Sequence, residues 1–273
     1  MSWYEAVVLG IIQGLTEFLP ISSSAHLRIF GELFGWGDPG AAFTAVIQIG
    51  TEVAVIAYLR RDVWRIVRTW ALSLVRPELR GDLDARMGWY VIIGTLPIGV
   101  LGVVFKDQIE TAARDLRLIA ATLIILGIVL YVADRLGAHD RPLKRLNFRD
   151  ALLFGLAQAC ALVPGVSRSG ATISMGLALG YDRAAAARYS FLLAIPSVLG
   201  AGVFEISDIK ALGSDEVGAT VLAAVVALIV GYATVAWLLR YLATHDYRPF
   251  VVYRIGLGLA VIALLATDVL QPR

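Results

Sequence analysis

Eight long apolar stretches dominate this sequence, and two of them are broken in the same manner. Stretches at about 43–59, 88–105, 117–134, 187–204, 218–240 and 251–270 each approach the ~20 apolar residues that a helix needs to cross a bilayer. The stretch 6–35 is interrupted by Pro20 and the run Ser22-Ser23-Ser24. The stretch 150–181 is interrupted by Pro164-Gly165 and the run Ser167-Arg168-Ser169-Gly170. Charged residues make up only 17% of the chain, against roughly a quarter in an ordinary soluble domain. The expectation is an all-α polytopic membrane protein with six transmembrane helices and two re-entrant broken-helix hairpins.

The loops set its orientation. Segment 60–86 carries seven arginines against four acids, and segment 135–149 carries Arg135, Arg141, Lys144, Arg145 and Arg149 against Asp140. Segment 240–249 carries Arg240 and Arg248 against Asp246. Segment 205–216 is acidic, with Glu205, Asp208, Asp215 and Glu216 against Lys210, and segment 106–117 is balanced. The positive-inside rule places the first three in the cytoplasm and the last two outside. The helix at 43–59 then starts outside and the helix at 187–204 starts inside. A hairpin returns to the side it came from, so 6–35 dips in from outside and 150–181 from inside, and both termini lie outside. The halves also match in pattern: Leu9-Gly10-Ile11-Ile12-Gln13 leads to Pro20 and a serine run, and Phe154-Gly155-Leu156-Ala157-Gln158 leads to Pro164 and another. An inverted repeat, about 1–135 and 147–273 of a single membrane domain, fits both pattern and topology.

Non-helical backbone at membrane depth is tolerated only inside protein or beside a watery cavity, so the two breaks are expected to face each other. Ser22, Ser23 or Ser24 suits the N-cap of one exit helix, and Ser167 or Ser169 that of the other. Helix N-termini offer free N–H groups and a positive dipole end to an anion. Arg168 at membrane depth needs an anionic partner, and Glu17 is the matching carboxylate. Gln13 and Glu17 share a helix face at i, i+4, and His26 lies on the first turns of the exit helix. Gln13, Glu17, Ser22, Ser23, Ser24, His26, Ser167, Arg168, Ser169 and Thr172 form an inventory for phosphoryl transfer: a nucleophile, an acid or base, a carboxylate and an anion clamp. Glu52 is a further ionisable residue mid-helix that either pairs with an arginine or lines the cavity. His139 and His245 read as solvated loop residues. Cys160, the only cysteine, reads as small and buried between Ala159 and Ala161, and excludes an intramolecular disulfide or a CxxC motif. The start of the chain lacks the basic region and cleavage site of a signal peptide.

Two segments carry a resemblance. The run Gln13-Gly14-Leu15-Thr16-Glu17-Phe18-Leu19-Pro20-Ile21-Ser22-Ser23-Ser24-Ala25-His26 resembles the first signature of the bacterial undecaprenyl-diphosphate phosphatases, the bacitracin-resistance family. Pro164-Gly165-Val166-Ser167-Arg168-Ser169-Gly170-Ala171-Thr172-Ile173 resembles the second. Val46-Ile47-Gln48-Ile49-Gly50 and Ser190 to Pro196 are similar to further family segments.

The resemblance implies hydrolysis of undecaprenyl diphosphate, a polyprenyl lipid, to its monophosphate and inorganic phosphate, recycling the carrier for cell-wall synthesis. It implies a divalent cation, Mg²⁺ or Ca²⁺, and a multi-pass protein of the bacterial inner membrane with its site open to the external or periplasmic side. It also implies that Glu17 is the essential carboxylate, binding metal with Gln13 or activating the nucleophile. Ser23 is the candidate nucleophile, and His26 competes with it or acts as acid/base. Arg168 clamps the diphosphate, helped by Ser22, Ser24, Gly165, Ser167, Ser169 and Thr172. Gln13 stands where some members have a second Glu; its carbonyl can hold a metal, but it cannot act as a base. No nucleic-acid partner is expected, and the sequence is compatible with a homo-oligomer. A transporter or flippase of a phosphorylated polyprenyl lipid is the alternative reading. The phosphatidic-acid type of lipid phosphatase is excluded, because the position six residues beyond Arg168 is Ser174 and the only later histidine is His245.

Overall fold

The computed structural model describes residues 1–106, 108–109, 115–204 and 214–272. Most of the acidic segment, including Glu205, Asp208 and Lys210, and much of the balanced one lie outside the described residues. The described residues form eleven α-helices: α1 (Trp3–Thr16), α2 (Ser23–Leu33), α3 (Ala41–Tyr58), α4 (Arg60–Val75), α5 (Leu83–Val104), α6 (Leu116–Leu136), α7 (Phe148–Ala159), α8 (Arg168–Ala178), α9 (Arg183–Phe204), α10 (Ser214–Tyr241) and α11 (Arg248–Ala266). Six of them, α3, α5, α6, α9, α10 and α11, are long and apolar enough to cross a membrane. They match the six unbroken stretches to within about five residues at each end. The protein is an all-α, multi-pass membrane protein.

The two broken stretches are hairpins of short helices. α1 and α2 start and end together, with the rings of Tyr4 and Trp36 6.1 Å apart. α7 and α8 also close on themselves: Arg141, before α7, exchanges backbone hydrogen bonds with the turn after α8, Arg141 N–H to Gly180 O and Asp182 N–H to Arg141 O, both 3.0 Å. The hairpins enter from opposite faces, because the second opens beside the arginine-bearing loops. The first opens on the face that holds the termini, where Leu116 N–H donates to Pro272 O at 2.9 Å.

Each entering helix crosses a long neighbour through a glycine. A Cβ at Gly10 of α1 would lie 2.5 Å from the Ala223 carbonyl of α10, and one at Gly155 of α7 would lie 2.8 Å from Gly94 Cα of α5. Between helices in lipid, close backbone approach of this kind replaces the hydrophobic drive as the source of packing. The arginine-bearing face is clasped by two ion pairs. Arg183 of α9 meets Asp134 of α6 at 2.6 Å, and Asp134 also accepts Tyr247 N–H at 3.1 Å. Arg141 meets Asp150 at 2.5 Å, and Asp150 takes the Tyr181 hydroxyl at 2.6 Å. Burial and that carboxylate together push the Tyr181 phenol well above its usual range.

Three local expectations are corrected. The loop at 60–86 is largely helical: sixteen of its residues form α4, which exposes Trp64 and Val75 as well as its arginines, a composition that suits a helix in the membrane interface. Cys160 is exposed, because it begins a 3₁₀ turn on the outward side of α7, with its thiol against Leu156 O at 3.5 Å. Small flanking residues do not fix which face a side chain takes. His139 is half-buried and bonded to Asp134 O at 2.8 Å, whereas His245 is exposed as expected.

Candidate active site

The two hairpin tips meet inside the protein. Ser22 begins α2 at φ 75°, ψ 97°, and Ser167 begins α8 at φ 70°, ψ 116°. Each hydroxyl caps its own helix, from Ala25 N–H at 3.4 Å and from Gly170 N–H at 3.1 Å. Ser24 and Ser169 stand beside the caps, with hydroxyls 3.3 and 3.2 Å away. Positive φ at a serine costs of order 1–3 kcal/mol, and such strain survives where the surroundings enforce it, as at a binding site. The result is two helix N-termini aimed toward one point.

Glu17 is the hub. It caps the C-terminus of α1, and its side chain is almost fully buried. One carboxylate oxygen pairs with the Arg168 guanidinium across the two hairpins. The other accepts the Ser23 hydroxyl at 2.6 Å and the Gln13 side-chain amide at 2.9 Å. Ser169 locks the tips together by donating to Glu17 O at 3.2 Å and Leu19 O at 3.1 Å. Arg168 also reaches Ser197 at 3.4 Å, and Ser197 donates to Gln158 at 3.2 Å.

A cavity of about 540 Å³ opens from this hub. Glu17, Ser22, Ser23, Ser24, Ser167 and Arg168 line its polar end, with Gln48 from α3 and Thr95 from α5. Ile98, Val103, Leu162, Pro196 and Val198 line the remainder, an apolar wall reaching past the C-terminal end of α5 to Lys106 and Ile109.

Not every sequence candidate faces the cavity. His26 is buried with both ring nitrogens engaged: Nδ1 lies 2.7 Å from Ser22 O and Nε2 lies 2.7 Å from the Tyr253 hydroxyl, whose ring stacks on it. A carbonyl can only accept, so Nδ1 carries the proton, and Nε2 accepts from Tyr253. Thr172 bonds Ser190 at 2.5 Å, away from the lining. Gly165 shapes the turn at φ 81°, against Ile119 and Thr122 of α6. A Cβ there would stand 2.9 Å from Ile119 O. Gly165→Ala is therefore expected to cost about 1–3 kcal/mol, read as a lower melting temperature of the detergent-solubilised protein. An unchanged melting point would contradict that strain.

Arg254 was not singled out by the sequence. It sits fully buried in α11 and donates to Leu123 O at 2.9 Å, Pro20 O at 3.0 Å, Gly165 O at 2.7 Å and Val166 O at 2.6 Å, with Thr122 O at 3.4 Å. It gathers the exposed carbonyls of both breaks. The available signal was an arginine inside an apolar span, a costly placement without partners.

Hard cations take oxygen ligands, and the donors here fit one. Gln13 Oε1 is buried beside the Glu17 carboxylate with no hydrogen-bond partner among the described residues. No group of three or more His, Cys, Asp or Glu among those residues could cage a metal. A cation at Gln13 and Glu17 would complete its shell with water and substrate oxygens, as Mg²⁺ does.

Comparison with known proteins points to one family. The profile described as bacitracin resistance protein BacA matches residues 6–260. A protein of Nocardioides sp. named undecaprenyl-diphosphatase is 63% identical over 273 residues, covering 99% of each chain. Streptomyces avermitilis has an undecaprenyl-diphosphatase 2 that is 56% identical over 284 residues, covering 100% of this chain and 98% of its own. The Thermobifida fusca undecaprenyl-diphosphatase is 54% identical over 272 residues, covering 100% and 93%.

Proposed function

This chain belongs to the bacitracin resistance protein BacA family, and from that premise we propose how its cavity works as an undecaprenyl-diphosphate phosphatase. The protein hydrolyses undecaprenyl diphosphate to undecaprenyl phosphate and inorganic phosphate, returning the lipid carrier to peptidoglycan synthesis and giving bacitracin resistance. The observation that carries the mechanism is the contact of Ser23 Oγ with Glu17 Oε2 at 2.6 Å, beside Arg168.

The diphosphate binds where the N-termini of α2 and α8 converge, and the prenyl chain lies along the apolar wall. Arg168 has five N–H donors and turns from Glu17 to the phosphate oxygens. Glu17 then accepts the Ser23 proton as Ser23 Oγ attacks the terminal phosphorus. The bond from that phosphorus to the bridging oxygen breaks, and undecaprenyl phosphate leaves. Water attacks the phosphoserine, Ser23 Oγ recovers its proton through Glu17, and inorganic phosphate departs. His26 acts by position: it holds the Ser22 carbonyl, and both of its nitrogens are occupied. A bound Mg²⁺ or Ca²⁺ would be held by Glu17 and the Gln13 carbonyl and would neutralise charge on the diphosphate.

The cavity runs toward the end of α5 remote from the arginine-bearing loops, so the positive-inside rule supports a mouth on the external face of the cell membrane. The halves 1–135 and 147–273 read as inverted repeats. Gly10 with Gly155, Gln13 with Gln158 and Ser22 with Ser167 all pair at one constant offset.

The test is phosphate release from undecaprenyl diphosphate by purified protein. Arg168→Lys is expected to lose about 10²-fold, because a point charge cannot reproduce the guanidinium fork. Wild-type release in that variant would remove Arg168 from the phosphate site.

A further inference from the structure

Among the described residues, Glu52 is an acid of the membrane interior that the mechanism above leaves unused. It lies in the middle of α3 and is fully buried, and neither carboxylate oxygen has a hydrogen-bond partner among the described residues. Its surroundings are those of the site. Gln48, one turn earlier on the same helix face, lines the cavity. The charges that act on Glu52 are those of Arg168 and Glu17. α1, α3 and α10 converge here: a Cβ at Gly231 of α10 would lie 3.1 Å from Phe18 and 3.5 Å from Thr51, the neighbours in sequence of Glu17 and Glu52.

A buried carboxylate with no partner is strongly disfavoured, so it implies a missing one. A proton alone does not supply it. A proton would neutralise Glu52 but would bring no second group to it, and Gln13 Oε1 is an orphaned acceptor as well. The orphaned atoms here are all oxygens that bind positive charge. A hard cation is the partner that such acceptor oxygens take.

We propose that Glu52 is the second carboxylate of the site, holding the divalent cation with Glu17 and the Gln13 side-chain carbonyl. This rests on the cation reading above. It also accounts for a glutamine at position 13: the second negative charge comes from α3 instead of α1. The cation would then join α1 to α3 as well as face the diphosphate.

Mn²⁺ is the probe, titrated into the full-length protein in detergent and followed by the electron paramagnetic resonance of the free ion. Wild type is expected to bind Mn²⁺ and to melt at a higher temperature with it. Glu52→Gln, which keeps the shape of the side chain, is expected to bind at least tenfold more weakly and to lose most of that melting shift. Glu52→Leu removes the unpaired carboxylate and is expected to melt, without Mn²⁺, at least as high as wild type. Equal Mn²⁺ affinity in wild type and Glu52→Gln would overturn the proposal, as would a wild type that binds no Mn²⁺. Phosphate release is measured separately on the same wild-type sample. Its absence would overturn the phosphatase reading, while the Mn²⁺ affinities still decide the role of Glu52.

Discussion

Ser23→Ala is expected to lower phosphate release from undecaprenyl diphosphate by at least about 10³-fold without unfolding the protein. The size follows from losing the attacking oxygen, since Glu17 and Arg168 can bind and polarise but cannot form the covalent bond. Retention of the fold follows from the capping. Ser22, not Ser23, caps α2, and the Ser23 hydroxyl donates its hydrogen bond to Glu17. Alanine is a good helix former, so α2 persists. A companion experiment identifies the nucleophile. Turnover quenched within milliseconds should leave phosphate on Ser23, stable in acid and lost in alkali. Phosphate on His26 would show the opposite lability. Wild-type activity in Ser23→Ala, or a label on His26, would sink the serine mechanism.

The spans were legible because bilayer thickness imposes length and apolarity on every crossing helix, and the loops announced their side through arginine. The two hairpins were legible because Pro20 and Pro164 cannot continue a helix and the serines that follow can start one. The Glu17–Arg168 pair was foreseeable from the two breaks: each is an ion beside one of them and in need of a partner. Other features depend on rotation about a helix axis, which no local pattern sets. Cys160 and His26 are examples: one faces outward, and the other turns toward Tyr253 instead of the cavity. α4 was hidden by its charge, since a run rich in arginine reads as a loop. Arg254 was hidden by distance. Its partners lie in α6 and in both breaks, and nothing near it in sequence names them.

Arg254→Leu is expected to damage the protein more than any substitution at the cavity surface. The guanidinium is fully buried and satisfies carbonyls from Pro20 in the first break, Gly165 and Val166 in the second, and Thr122 and Leu123 on α6. Breaking a helix at membrane depth frees carbonyls that lipid cannot satisfy. Leucine is too short to reach the breaks and would leave those oxygens without their donor, at about 1–3 kcal/mol each. Even two or three such losses approach the 5–15 kcal/mol that typically separates folded from unfolded chains. The melting temperature in detergent should therefore fall by about 10 °C or more, and the monodisperse fraction on gel filtration should shrink. Arg254→Lys should be intermediate, because an ammonium has three donors and cannot fork between Gly165 and Val166. The same residue bears on activity, since the carbonyls it gathers belong to the turns that aim α2 and α8 at the phosphate. At a temperature where Arg254→Lys remains folded, phosphate release should fall while the Ser23 phosphate trap still labels serine. A leucine variant that melts and turns over like wild type would mean that water satisfies these carbonyls and that Arg254 does not hold the breaks together.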